Sequence, residues 1–188
     1  AKAFARYKFR GQNISYGAIM IPFLIPEIIL AVAILVIWLS LGFKLGLVPV
    51  TLGHILFCTP FAMLILIARI EGFDFSLEEA SRDLGENAWG TFYRVSLPLY
   101  LPGIIASLLL SFIISFDEFV LAFFLTGSDA TLPMYMWAQM RFIQKLPHVL
   151  ALGAVIIVFT TFIVLLAFWL RNLGQGKEKA EFGIKIHE

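Results

Sequence analysis

EGFDFSLEEASRDLGENAWGTFYRVSLP, residues 71–98, is the one long polar stretch in a chain of 188 residues that is otherwise mostly apolar. It carries six of the thirteen acidic side chains. Ser76-Leu77-Glu78-Glu79 has the spacing of a capping box. The Ser76 hydroxyl can accept from the backbone N–H of Glu79, while the Glu79 carboxylate reaches back to the N–H of Ser76. This predicts a short helix over 77–84, ended by Gly85 in the left-handed conformation that glycine adopts without strain. Asn87 can cap a second short helix, on which Trp89, Phe92 and Tyr93 fall at i, i+3 and i+4 along one apolar edge. Leu97-Pro98 opens the next apolar run, proline being tolerated near a helix start. The stretch therefore predicts helix, glycine elbow, helix, lying outside a membrane with an aromatic edge to bury.

Working outward, 60% of the residues are hydrophobic and 14% charged, with a mean hydropathy of +0.90. That excludes a water-soluble globular domain and predicts an all-α polytopic helix bundle in a lipid bilayer, one domain over 1–188. The single cysteine, Cys58, excludes an intrachain disulfide. A net charge of +1 gives no bulk attraction for nucleic acid, and no such partner is expected.

Four spans are expected, each near or above the ~20 residues needed to cross a bilayer. Residues 1–11 hold Lys2, Arg6, Lys8 and Arg10 and no acid. The first span covers 14–41 and contains Pro22, Pro26 and Glu27; a tight turn follows at 42–46. The second covers 47–70, with His54, Cys58 and Pro60. After the polar stretch, the third covers 97–116, and its apolar run resumes beyond Asp117-Glu118 as far as Leu125. Residues 127–148 form a loop with an amphipathic helix over 134–145 and Pro147 just beyond its end. The fourth span covers 149–170, and 171–188 is a charged tail. Four crossings put both ends on one side. Lys2, Arg6, Lys8, Arg10, Arg69, Arg82, Arg94, Arg171, Lys177, Lys179 and Lys185 fall there, against Lys44, Arg141 and Lys145 opposite. The positive-inside rule assigns the polar stretch and both termini to the cytoplasm.

Catalytic motifs are absent from the sequence in working form. Gly174-Gln175-Gly176-Lys177 is the nearest approach to a P-loop, but Glu178 stands where Ser or Thr must bind Mg²⁺ and Arg171 where the first glycine belongs. His54 and Cys58 share a helix face at i, i+4; two ligands without a third nearby make a poor metal site, and buried packing is the simpler reading. His148 and His187 have no partners at ligand spacing.

Glu79-Ala80-Ser81, three residues, Gly85, nine residues, Val95-Ser96-Leu97-Pro98 resembles the EAA loop of the permease subunits of binding-protein-dependent ABC importers. Ser81 replaces the usual second alanine and Val95 the usual isoleucine. The resemblance runs from about Arg6 to Arg171. It extends to the permeases of the spermidine/putrescine branch through Pro26-Glu27, Ser115-Phe116-Asp117-Glu118-Phe119, Phe124-Leu125-Thr126-Gly127 and Thr131-Leu132-Pro133. It implies a type-1 transmembrane domain of the inner membrane whose coupling loop, 71–98, sits in a groove of a separate ATPase through Glu79, Ala80, Ser81, Asp83, Gly85, Trp89, Leu97 and Pro98. It also implies a second permease subunit, a periplasmic or surface substrate-binding protein, and ATP and Mg²⁺ held by the partner, with neither cofactor nor enzymatic activity in this chain. About two more spanning helices are expected to precede Ala1.

Two features bear on cargo. Acids at membrane depth are costly unless they face water, a partner or a substrate. Glu27, Asp117 and Glu118 are such acids, with Phe119 beside them, and together they are the candidate substrate path. Phe123, Phe124, Tyr135, Trp137 and Phe142 thicken the aromatic surroundings. Carboxylates with aromatic walls suit a small polycation, and the resemblance implies a polyamine. An interfacial aromatic belt would equally use Tyr135 and Trp137, and Asp117-Glu118 could be solvated at a helix end. The alternative function is a secondary transporter or channel with Glu27 and Asp117 as an ion relay; a purely structural scaffold is a third. Gly103, Ser107, Ser111 and Ser115 recur every four residues as a small-residue stripe, which could meet a second permease or a helix of this chain.

Overall fold

The computed structural model describes residues 1–184, with side chains through residue 169. Among these residues every regular element is helical. In chain order they are α1 (Lys2–Arg6), α2 (Gln12–Leu24), α3 (Glu27–Ser40), α4 (Leu47–Glu71), α5 (Ser76–Asp83), α6 (Ala88–Thr91), α7 (Leu97–Asp117), α8 (Val120–Leu125), α9 (Leu132–Gln139) and α10 (Leu146–Ile184). A π-helical turn, Phe92–Ser96, joins α6 to α7. Three helical stretches, Leu47–Glu71, Ala88–Asp117 and Ile143–Trp169, are long and apolar enough to cross a membrane, and α2 with α3 makes a fourth if the pair is one span. The 25 residues of α4 are about 38 Å long at 1.5 Å per residue, more than a hydrocarbon core of ~30 Å requires.

The first expected span, 14–41, is interrupted at one of its two prolines, Pro26, and not at Pro22, which stays inside α2. Pro26 has no N–H to continue α2, and it forces Ile25 into the extended region (φ −81°, ψ 135°). α2 and α3 therefore meet at 105°. Glu27 becomes the first residue of α3. Its carboxylate lies at the helix end where unpaired N–H groups favour negative charge. The helix expected over 134–145 is α9, which starts and stops earlier. Pro133 lies in its first turn, and Pro147 lies in the first turn of α10 rather than in a loop. The charged tail continues α10 to Ile184, so the Gly174–Lys177 stretch is helical; the side chains of Arg171, Lys177 and Lys179 lie outside what is described, as do Lys185 and His187 altogether.

The chain divides into two compact units, one of Gly11–Phe61 with Ser111–Phe162, the other of Ala1–Arg10, Ala62–Leu110 and the stretch from Ile163 onward. In the first, Leu30 and Ala31 of α3 and Val50 of α4 bury against Leu121, Ala122 and Leu125 of α8. Gly53 lets α4 come close: a Cβ there would stand 3.0 Å from Leu125 Cδ1. In the second unit, Ile70, Phe73 and Tyr100 form the buried centre, with Phe75, Leu99 and Ile104 packed around it. Many large apolar side chains of α2, α3, α4, α7 and α10 stay exposed, as expected of surfaces that face lipid or further helices.

The small-residue stripe of α7 is occupied by α4 of the same chain at three of its four positions. In the second unit the Arg69 stem lies where a side chain on Gly103 would go, 2.6 Å from the ideal Cβ. In the first unit the Cys58 thiol donates to the Ser111 carbonyl at 3.6 Å, and His54 Nδ1 shares a 2.8 Å hydrogen bond with Ser115 Oγ. His54 and Cys58 share a face because both pack on α7, which is the simpler of the two explanations their spacing allowed.

Candidate functional site

The polar stretch folds as two short helices about a glycine elbow. Gly85 has φ +91°, and an added Cβ would meet nothing within 4 Å. The requirement for glycine is therefore the left-handed backbone, not space. Asn87 caps α6, its Oδ1 accepting from the Gly90 N–H at 2.8 Å. The capping box, however, does not form. Ser76 is already helical and makes no cap hydrogen bond from the preceding position. Its N–H is taken instead by Asp74 Oδ1 at 3.0 Å, the short-range turn that an aspartate two residues earlier makes readily. Between α6 and α7 the Leu97 N–H bonds to the Phe92 carbonyl, a five-residue step. The widening precedes Pro98, which cannot donate to the carbonyl one turn back.

The residues expected to touch an ATPase divide by exposure. Glu79, Ala80, Asp83, Gly85, Trp89 and Pro98 are exposed and Leu97 is half-buried. Ser81 is buried and faces inward, its hydroxyl 3.2 Å from Thr91 Oγ1. The exposed apolar surface is larger than expected: Leu84 is 87% accessible, Trp89 72% and Tyr93 60%. Trp89 and Tyr93 stack with ring planes 23° apart. These groups form a preformed apolar ridge on a charged loop.

The interior of the loop is organised by Glu78, which the sequence reading passed over in favour of Glu79. Glu78 is 1% exposed. Its Oε1 accepts from Lys2 Nζ at 2.8 Å, Ser96 Oγ at 2.6 Å and Tyr100 OH at 3.1 Å. Its Oε2 accepts from Arg6. Arg6 also lies over the Phe75 ring at 4.0 Å. Hydrogen bonds to charged groups contribute about 1.5–3 kcal/mol each when the alternative is a buried, unpaired group. The other ion pair of the loop, Arg94 with Glu86, has side chains 76% and 29% exposed, and exposed pairs contribute only ~0–1 kcal/mol. Glu78, not Glu86, decides the loop's shape. Phe75, Glu78 and Ser81 recur at three-residue spacing and mark the inward face of α5 in the sequence; the partners of Glu78 had no such mark, because Lys2 and Arg6 lie 76 and 72 residues away.

The candidate cargo acids lie at two helix breaks of the Gly11–Phe61 and Ser111–Phe162 unit. Asp117 is the exposed last residue of α7. Glu118 is buried, and its Oε1 accepts the Leu121 N–H at 2.6 Å, capping α8. Glu27 is its acidic neighbour across the two breaks. Of the three acids Glu118 is buried, Glu27 is half-buried beside it, and Asp117 is the accessible member. Two adjoining carboxylates repel unless a proton or a cation lies between them. Phe119 and Phe123 pack beside Trp137, at 5.8 and 5.5 Å between ring centroids. Arg141 already covers the Trp137 ring at 4.2 Å, which suits an interfacial position for that residue. An apolar recess of about 390 Å³ between α2 and α4 is lined by Ala18, Ile19, Pro22, Leu52, Ile55 and Thr59. The Thr59 hydroxyl is spent on the Ile55 carbonyl at 2.6 Å, so the recess offers a cation nothing.

Compared with known proteins, residues 2–176 match the family described as "Binding-protein-dependent transport system inner membrane component". The spermidine/putrescine transport system permease protein PotC of Escherichia coli (strain K12) is 33% identical over 184 residues, 97% of this chain and 68% of that protein. The putrescine transport system permease protein PotI of the same strain is 33% identical over 141 residues, 71% of this chain and 50% of that one. The molybdenum transport system permease protein ModB of Haemophilus influenzae is 29% identical over 196 residues, 92% and 85% of the two chains.

The buried carboxylate sets a pH dependence. Burial pushes the Glu78 carboxyl up, but the Lys2 ammonium, the Ser96 hydroxyl and the Arg6 guanidinium together outweigh it and hold the group down at about 2. A lowered value stabilises the fold fully above the ordinary carboxylate value of 4.5 and is lost as the pH falls from there through about 2. Amide exchange of α5, measured in the detergent-solubilised protein and corrected for intrinsic rates, is expected to stay protected from neutral pH down to about 5 and to lose protection only below 4.5. A steep loss between pH 7 and pH 5 would contradict the ion-pair assignment.

Proposed function

The chain belongs to the binding-protein-dependent transport system inner membrane components, and from that premise we propose that it forms part of the translocation path of an importer for a small organic polycation of the polyamine class, driven by ATP hydrolysis in a separate subunit. The observation that carries the coupling half of this reading is the elbow at Gly85 between two short helices, the second capped by Asn87, with the exposed ridge of Leu84, Trp89 and Tyr93. An apolar ridge on a loop outside the bilayer has to be buried against a partner, and the ATPase is that partner. Glu79, Ala80, Asp83 and Trp89 meet it; Ser81 and Leu97 hold the loop in shape behind them. Closure of the ATPase pushes the elbow, and the attached spans rock as rigid bodies. ATP and Mg²⁺ belong to the ATPase, and this chain does no chemistry on the cargo. A second permease completes the path, and a periplasmic or surface binding protein delivers the cargo. The chain crosses the membrane several times as a single transmembrane domain with both ends in the cytoplasm, in keeping with the skew of Lys and Arg along the sequence.

The cargo half is supported by chemistry as well as by relatives, since the similar chains include one named for molybdenum as well as those named for polyamines. Glu27, Asp117 and Glu118 bring three carboxyls to the breaks in α2–α3 and α7–α8, with Phe119 beside them. Such a set would repel an oxyanion and attract ammonium groups. Among the described residues nothing favours an ion relay in a secondary carrier, which would have no use for the elbow.

Both halves can be tested in the reconstituted transporter with labelled spermidine and putrescine. Gly85→Val should leave the complex assembled but uncouple uptake from ATP hydrolysis, because a β-branched residue at positive φ is strained by about 1–3 kcal/mol and re-aims α6. Full uptake by Gly85→Val would contradict the elbow. Asp117→Asn should lower apparent affinity or rate for the polycation roughly ten- to a hundredfold, the effect of losing one charge-assisted contact of about 1.5–3 kcal/mol. Unchanged polyamine uptake would remove Asp117 from the path; a loss of complex yield with cargo preference intact would make its role structural.

A further inference from the structure

The Glu78 network has a geometry that simple stabilisation does not require. Four donors converge on one carboxylate from three places: Lys2 and Arg6 on α1, Ser96 at the end of the π-helical turn, and Tyr100 one turn into α7. The acceptor itself is on α5, on the helix face opposite the exposed Glu79 and Asp83. A buried ion pair is a poor way to gain stability, since a well-packed apolar side chain of similar volume often does as well or better. What the carboxylate supplies is direction. Its donors are satisfied at one setting of α5 against α1 and α7, and any shift of α5 either carries those helices with it or leaves buried charges unpaired. Ser81 with Thr91 ties α5 to α6 in the same way on the other side of the elbow. Helix α1 and the start of α7 are thereby fastened to one side chain of the loop.

We propose that Glu78 is the positioning residue that transmits displacement of the loop to α1 and α7, so that α5, α1 and the base of α7 move as one body during the transport cycle. This rests on the coupling-loop reading of residues 71–98, and it adds to the exposed contact residues a buried one that touches neither ATPase nor cargo. Lys2 and Arg6 acquire a function beyond orienting the chain: they are the grip by which the preceding segment is held. The aromatic faces of Phe75, Phe92 and Tyr100 border the two cations at 4.0, 5.9 and 5.8 Å and partly cover them.

The test uses the complete transporter in proteoliposomes and reads three quantities together: complex yield, ATP hydrolysis and polyamine uptake per ATP. Glu78→Gln keeps the size of the side chain and can still accept from Ser96 and Tyr100, but no longer holds the two cations. It is expected to assemble and hydrolyse ATP while cargo moved per ATP falls roughly fivefold or more, the lower end of ordinary coupling between sites. Lys2→Met with Arg6→Met should reproduce the loss. Combining all three changes should be no worse than either set, because both remove the same link. Glu78→Asp, which keeps the charge on a shorter stem, should recover part of the ratio. Unchanged uptake per ATP in Glu78→Gln, or strictly additive losses in the combined variant, would overturn the proposal. So would a loss confined to complex yield, which Glu78→Asp then measures in a better-assembled background. Gly85→Val in the same preparation separates the two levels. If it uncouples while Glu78→Gln does not, only the role of Glu78 fails; if neither uncouples, the coupling-loop reading fails and this inference with it.

Discussion

A carboxylate removed from water must be given back the hydrogen bonds that water supplied, and Glu78 receives them from Lys2, Arg6, Ser96 and Tyr100. The shape of the loop follows from meeting that demand. The face of α5 that carries Glu78 and Ser81 must turn inward, so Glu79, Asp83 and the elbow turn outward. α1, only five residues long and without a side-chain cap of its own, is held by ionic contacts where its own helix-forming tendency would leave it marginal. The π-helical turn brings Ser96 to the carboxylate, and Tyr100 joins the Phe73 cluster on the same side.

Prolines do comparable work in the unit that carries the acids and in its neighbour. Pro26 breaks the first apolar run and leaves Glu27 at a helix start. Pro60 and Pro102 lie inside α4 and α7 without ending them. The difference is local: within a long apolar helix the freed carbonyl can be tolerated when neighbours and small backbone adjustments absorb it, whereas Ile25 before Pro26 is extended and Glu27 puts a carboxylate at the new N-terminus. At Glu118 the same solution recurs, a glutamate filling the start of α8 immediately after α7 ends. Glu118 thus caps α8 and Glu27 opens α3, which ties any change of charge there to the packing of α3 on α8.

Much of this was legible in the sequence wherever the cause is local. Gly85 and Asn87 act within three residues of themselves, and both behave as their spacing predicts. All-helical architecture and the apolar spans follow from composition and run length. The capping box failed because Asp74, outside the four-residue pattern, competes for the same N–H. Pro26 was visible as an interruption, but its 105° bend was not, because an apolar run records that a segment is buried but not which way it points. Glu78 escaped for a different reason: its spacing on α5 marks it as inward-facing, but only folding brings the chain's first residues to it. The stripe from Gly103 to Ser115 was recognisable as a packing face, while its occupant became clear only once Arg69, His54 and Cys58 were seen against it.

The central claim is that the ridge at the elbow is the surface through which work enters this subunit. It is tested most directly by replacing Trp89, 72% exposed and stacked on Tyr93, with a photo-reactive phenylalanine derivative in the complete transporter and identifying what it labels on illumination. The account predicts covalent capture of the ATPase subunit, in a yield that changes when ATP binds. Labelling of lipid or of the permease alone, in a complex that still transports, would contradict it.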